Sequence, residues 1–227
     1  MPRASNGRLP RFVLAERLSH WVYAAFFIVA FVSGLLTWVP ATRVWMAGAR
    51  QSVINYHGAV GFLMILVPII LFLVLDRGRL ARDLREIDVW DQNDRRWFWA
   101  ALRGRSLRGG AMPAQGRFNA GQKANAVLVA AIAVGFVFTG TVLLGNTRLP
   151  SWLVSRALWL HGLLSIAGVV LLAGHLGHVF LTRHGRDYLG AMVRGTLGED
   201  TARERHFTWW EETLATQGAD QDPDEVG

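Results

Sequence analysis

Residues 157–182 read ALWLHGLLSIAGVVLLAGHLGHVFLT, a run with no acidic or basic charge that carries His161, His175 and His178. A bilayer core about 30 Å thick is crossed by roughly 20 apolar residues of α-helix, so this run reads as a membrane span. An imidazole in hydrocarbon needs a partner, and an ionisable side chain within a span marks a functional site. His161 and His175 are 14 residues apart. That is close to four turns and about 21 Å along an ideal helix, so both project from nearly one face at two depths. His178 is turned about 100° away from His161 on the same helix. His175 is therefore preferred as the second member of that face, with His178 as its alternate.

Three further uncharged runs, at residues 18–42, 51–75 and 124–147, are as long. Together they predict four membrane helices at about 17–39, 53–75, 123–145 and 152–182, and an all-α four-helix transmembrane bundle. The first run follows Arg3, Arg8, Arg11 and Arg17, but its core is too long for a signal peptide and lacks a small-residue cleavage pattern. It is read as a retained span. An even number of spans puts both termini on one side with the 76–122 loop, and about twenty of the 24 Lys and Arg residues fall there. The positive-inside rule makes that side cytoplasmic. The expected organisation is an N-terminal arm (1–16), the spanning domain (17–182) and a cytoplasmic tail (183–227). Trp38, Trp45 and Trp152 fall near the opposite boundary, where indoles commonly anchor.

Within the loop, residues 83–102 mix charge with Trp90, Trp97, Phe98 and Trp99, as a short interfacial helix or a loop packed on the bundle would. Residues 103–117 are rich in Gly and Arg and read as a flexible connection. The tail beyond Gln217 is polar and acidic and is expected to be mobile. There is no cysteine, so this chain builds no disulfide and no Fe–S cluster of its own. The net charge of +7 follows membrane topology rather than a nucleic-acid surface.

His20 lies near the inner end of the first span and His57 near the outer start of the second. His20 thus shares a depth with His175, and His57 with His161. Taken singly, a histidine near a membrane boundary is ordinarily interfacial. Four that pair by depth fit two b haems stacked across the membrane, each held by two axial imidazoles from different helices. Gly58, Gly61, Gly162 and Gly174 flank these histidines and permit close approach of a flat ring or a neighbouring helix. Pro68 is expected to bend the second span. His184 and His206 are expected to be solvated or interfacial.

Several segments resemble one family. Arg17-Leu18-Ser19-His20-Trp21, His57 with its following glycine, and Arg117-Phe118-Asn119-Ala120-Gly121-Gln122-Lys123 are the main ones. The last is similar to a Tyr-Asn-Ala-Gly-Gln-Lys signature, with Phe118 in place of tyrosine. Arg203-Glu204-Arg205-His206-Phe207 and Trp209-Trp210-Glu211-Glu212 are similar to that family's tail. On these residues the chain resembles the cytochrome b (gamma) subunit of bacterial respiratory formate dehydrogenases, an inner-membrane protein. The resemblance implies an outer haem b on His57 and His161 and an inner one on His20 and His175. Gly177-His178-Val179-Phe180 also resembles the inner ligand segment, which keeps His178 as the alternate.

The resemblance further implies quinone, menaquinone or ubiquinone, reduced at Asn119, Gly121 and Gln122. Amides can donate to a quinone carbonyl without a buried charge, and Asn119 equally suits a helix N-cap. Implied partners are an Fe–S (beta) subunit and, through it, a catalytic molybdenum or tungsten (alpha) subunit. No formate chemistry is expected on this chain. The same histidine layout would serve a nickel–iron hydrogenase or thiosulfate reductase, and a haem-free anchor or transporter is the reading from another class.

Overall fold

The computed structural model describes residues 7–46, 48–105 and 111–219. The start of the arm, the Gly-rich part of the 103–117 connection and the acidic end of the tail therefore lie outside the described residues. Each uncharged run becomes one long helix: α1 (Leu14–Trp38), then, after a short α2 (Pro40–Trp45), α3 (Arg50–Leu75). The loop folds as α4 (Arg77–Asp88) and α5 (Gln92–Leu102), and α6 (Ala120–Leu144) and α7 (Ser151–Leu181) complete the set. The four long helices each have the length and apolarity to cross a membrane. The chain ends in α8 (Gly185–Arg194), α9 (Glu199–Arg205) and α10 (Phe207–Ala219).

The chain divides into two compact units. The spanning unit comprises Leu18–Arg77 and Leu128–Ala173, and the terminal unit holds the remaining segments. In the spanning unit the helices form a closed circuit. Gly34 of α1 faces His57 of α3, Gly58 of α3 faces Leu144 of α6, Gly135 of α6 faces Leu164 of α7, and Gly168 of α7 faces Phe27 of α1. A Cβ at these positions would meet the facing side chain at 2.8–3.4 Å. Backbones thus approach through small residues, the usual device where lipid removes the hydrophobic drive between helices. Ser19 donates to the carbonyl of Pro68 at 3.2 Å and ties α1 to α3 a second time. Trp38 and Trp152 are exposed.

The terminal unit has its own core. A two-stranded antiparallel ribbon, β1 (Arg8–Pro10) with β2 (Thr196–Gly198), pairs Leu9 with Leu197. Both leucines are fully buried, with Ala191, Ala202 and Trp209 around them and Phe12, Tyr188 and Leu214 packed alongside. The described parts of the arm and tail thus pack on one another. Gly218 and Ala219 continue α10, and the tail beyond them lies outside the described residues.

Residues 83–102 become two helices rather than one. Asp91 and Asp94 close a reciprocal cap at the start of α5, and Asp94 also takes the Lys123 ammonium at 2.8 Å. At the end of the 103–117 connection Gln115 and Arg117 are buried, so that part is packed rather than loose.

Candidate functional site

In the spanning unit His57 and His161 face each other, with ring centroids 6.1 Å apart and planes at 71°. Each ring is fixed through Nδ1. His57 Nδ1 lies 3.0 Å from the Ala30 carbonyl and 3.1 Å from Ser33 Oγ. A carbonyl only accepts, so Nδ1 carries the proton. The Ser33 hydroxyl agrees, since it donates to the Val29 carbonyl at 2.7 Å. His161 Nδ1 lies 2.8 Å from Thr139 Oγ1, whose own proton goes to the Gly135 carbonyl at 2.7 Å. Both imidazoles therefore present a bare Nε2 lone pair, and neither Nε2 has a hydrogen bond among the described residues.

This is the state of a metal-ligating histidine, with one nitrogen anchored by a hydrogen bond and the other free to coordinate. The 6.1 Å between the ring centroids would leave room for one metal centre shared by the two imidazoles. Gly61, one turn beyond His57, and Gly162, next to His161, would each meet nothing within 4 Å if given a Cβ. Gly58, by contrast, is needed for helix packing against Leu144.

The other predicted histidines divide between the units. His20 lies on α1 of the spanning unit, its ring 5.4 Å from that of Trp21 and edge-on to it. His175 and His178 belong to the terminal unit. The His178 ring lies 5.9 Å from Tyr188 of α8, so His178 turns toward the terminal core.

Asn119 and Gln122, also in the terminal unit, form a reciprocal cap at the start of α6. Asn119 Oδ1 accepts from the Gln122 N–H at 3.0 Å, and Gln122 Oε1 accepts from the Asn119 N–H at 3.1 Å. Arg11 Nη2 adds a donor to the same Gln122 oxygen at 3.2 Å. Both amide oxygens are occupied, while neither NH₂ group has a partner among the described residues. The space over Gly121 belongs to Trp97, since a Cβ there would lie 2.6 Å from the indole Cη2. The glycine admits that indole.

Beside this cap is an ionic cluster that the motif reading missed. Arg117 pairs with Glu16 at 2.7 Å, with Glu86 at 2.7 Å and with Asp83. Arg79 also reaches Asp83 at 3.1 Å and Glu16 at 3.3 Å. Burial alone would lower Arg117, but Glu16, Glu86 and Asp83 outweigh it and the guanidinium is held above its usual value. Burial pushes the Asp83 carboxyl up and Arg117 opposes it; with the Glu16 charge added, it lies at about 7. The available signal was Glu16, the one carboxylate among the first 75 residues, at the edge of a span.

His206 corrects a second expectation. It is fully buried, donates from Nδ1 to the Gly116 carbonyl at 2.8 Å and takes the Tyr188 hydroxyl on Nε2 at 3.0 Å. Burial, with Arg11 adding, holds it well below its ordinary pKa and keeps it neutral. Arg11 itself is buried against Phe12, Tyr188 and Trp209, and burial lowers its pKa to about 10. His184 is half-buried beside Thr201 and Glu204.

Four membrane-crossing helices around two facing imidazoles with their metal-binding nitrogens bare define a membrane protein of the cytochrome b class. Residues 11–195 match the prokaryotic cytochrome b561 family, and the chain belongs to that family. It is similar to the formate dehydrogenase cytochrome b556(fdo) subunit of Escherichia coli K12, and to the same-named subunits of E. coli O6:H1 and O157:H7. Each is 26% identical over 211 residues, covering 91% of this chain and 93% of the relative. The family implies haem b, and the facing His57 and His161, each anchored through Nδ1 with Nε2 bare, fit that group.

Proposed function

We propose that this chain is the di-haem cytochrome b subunit of a formate dehydrogenase in the bacterial inner membrane, with both termini cytoplasmic. It carries electrons from an Fe–S partner subunit on the periplasmic side to membrane quinone near the cytoplasmic face. That partner in turn joins it to a catalytic molybdenum or tungsten subunit, where formate is oxidised. The observation that carries the reading is the His57–His161 pair, seen in a chain similar along most of its length to a formate dehydrogenase cytochrome subunit.

His57 and His161 would hold the outer haem, and His20 and His175 the inner one. The choice of His175 over His178 is supported by the contact of His178 with Tyr188, which gives that ring a packing role. A b haem supplies one-electron exchange; the chain supplies the imidazoles, their orientation and a dry surround. For quinone, menaquinone or ubiquinone, the unpaired NH₂ groups of Asn119 and Gln122 supply donors to the carbonyl oxygen. Trp97, seated on Gly121, supplies an aromatic wall.

The test is a pyridine haemochrome assay on the purified complex, joined to formate-to-quinone turnover. Two b haems per chain, with turnover abolished when the chain is removed, is the expected result. A purified chain without Soret absorption, or turnover that survives its deletion, overturns the proposal.

A further inference from the structure

His57 and His161 are anchored by unequal means. The Nδ1–H of His57 has two acceptors, and one is the Ala30 backbone carbonyl, which no side-chain substitution removes. The Nδ1–H of His161 has one, the Thr139 hydroxyl, and Thr139 is fully buried. That hydroxyl is itself oriented. Its proton is given to the Gly135 carbonyl one turn back, leaving a lone pair for the imidazole. The bond to the Gly135 carbonyl and the full burial of Thr139 select its rotamer, so the lone pair is held in place.

We propose that Thr139 is the positioning residue of the outer haem: it fixes His161 as the tautomer with Nε2 bare and lowers the redox potential of the iron held there, while Ser33 is dispensable. The inference rests on the haem reading above. Without the hydroxyl, the buried Nδ1–H is left unpaired at a desolvation cost, or the proton moves to Nε2 and blocks the coordinating lone pair. With it, the hydrogen bond increases electron donation from the imidazole, which favours the oxidised iron.

The experiment is a potentiometric titration of the haem bands, with haem-to-polypeptide ratio, on the whole purified complex. Thr139→Val should shift one of the two midpoint potentials upward. It should also weaken haem retention about 10- to 100-fold. Thr139→Ser, which keeps the oxygen, should restore both, and Ser33→Ala should match wild type. Should Thr139→Val fail to insert, Thr139→Cys keeps the size with a weaker acceptor and must move the same potential the same way. Unchanged potentials and retention in Thr139→Val, or an equal shift in Ser33→Ala, overturn the inference while leaving the haem assignment standing. A wild-type chain without haem overturns the assignment instead.

Discussion

Glu16 and Arg117 lie 101 residues apart in the sequence and meet in an ion pair of 2.7 Å, each side chain 7% exposed. The same guanidinium takes Asp83 from α4, so the start of α1, the loop and the approach to α6 are fastened at one residue. Removing one member of such a pair leaves buried charge uncompensated, at about 3–5 kcal/mol. Arg117→Ala should therefore loosen the terminal unit by that order, read as a lower unfolding midpoint and faster proteolysis within residues 76–122. Arg117→Lys should fail to rescue, because an ammonium lacks the fork that serves three carboxylates.

Asp83 gives that cluster a pH dependence with a definite sign. Its carboxyl sits at about 7 in the folded chain, against an ordinary value of 3.8. A group whose acid form is favoured by folding binds more protons in the native state between those two values. Its contribution is therefore greatest below the lower value, declines as pH rises to about 7, and is level above. Thermal midpoints between pH 5 and 8 should fall more steeply in wild type than in Asp83→Asn. Parallel profiles would show that the carboxyl stays ionised across the range.

The inner haem ligand separates by two substitutions. His178 packs on Tyr188, so His178→Ala should keep two haems per chain and lower stability by the loss of one aromatic contact, about 0.5–1.5 kcal/mol. His175→Ala should leave one haem. Pyridine haemochrome stoichiometry on both variants decides the assignment, and the reverse pattern would exchange their roles.

The spans were legible because hydrocarbon imposes a strict rule on composition, and α1, α3, α6 and α7 begin and end within a few residues of the uncharged runs. The facing of His57 and His161 was legible from depth alone. Their anchors were not, because Thr139 and Ser33 are ordinary small polar residues in a span until the imidazole beside them is seen. The terminal unit was opaque for a different reason. Its ribbon is three residues per strand and pairs Leu9 with Leu197 across nearly the whole chain, which no local pattern encodes. His206 looked solvated because its neighbours in sequence are charged, whereas its partners, Gly116 and Tyr188, come from elsewhere.

Asn119 carries two assignments, the N-cap of α6 and a quinone donor, and its two amide atoms separate them. Capping uses Oδ1, which holds the Gln122 N–H, and quinone binding would use the NH₂ group. Asn119→Ala removes both functions and should cost about 1 kcal/mol in helix stability along with quinone affinity. Asn119→Asp keeps the capping oxygen, places a negative charge favourably at a helix N-terminus, and removes the donor. It should preserve stability and haem content while raising the KM for quinone, because a carboxylate repels the carbonyl oxygen it replaces a donor for. Gln122→Glu should behave alike, since Oε1 continues to accept from Arg11 and the Asn119 backbone. Steady-state quinone reduction beside a thermal melt reads both properties on the same sample. If Asn119→Asp turned over quinone as wild type does, Asn119 would be a cap alone and the quinone site would have to be sought on other residues.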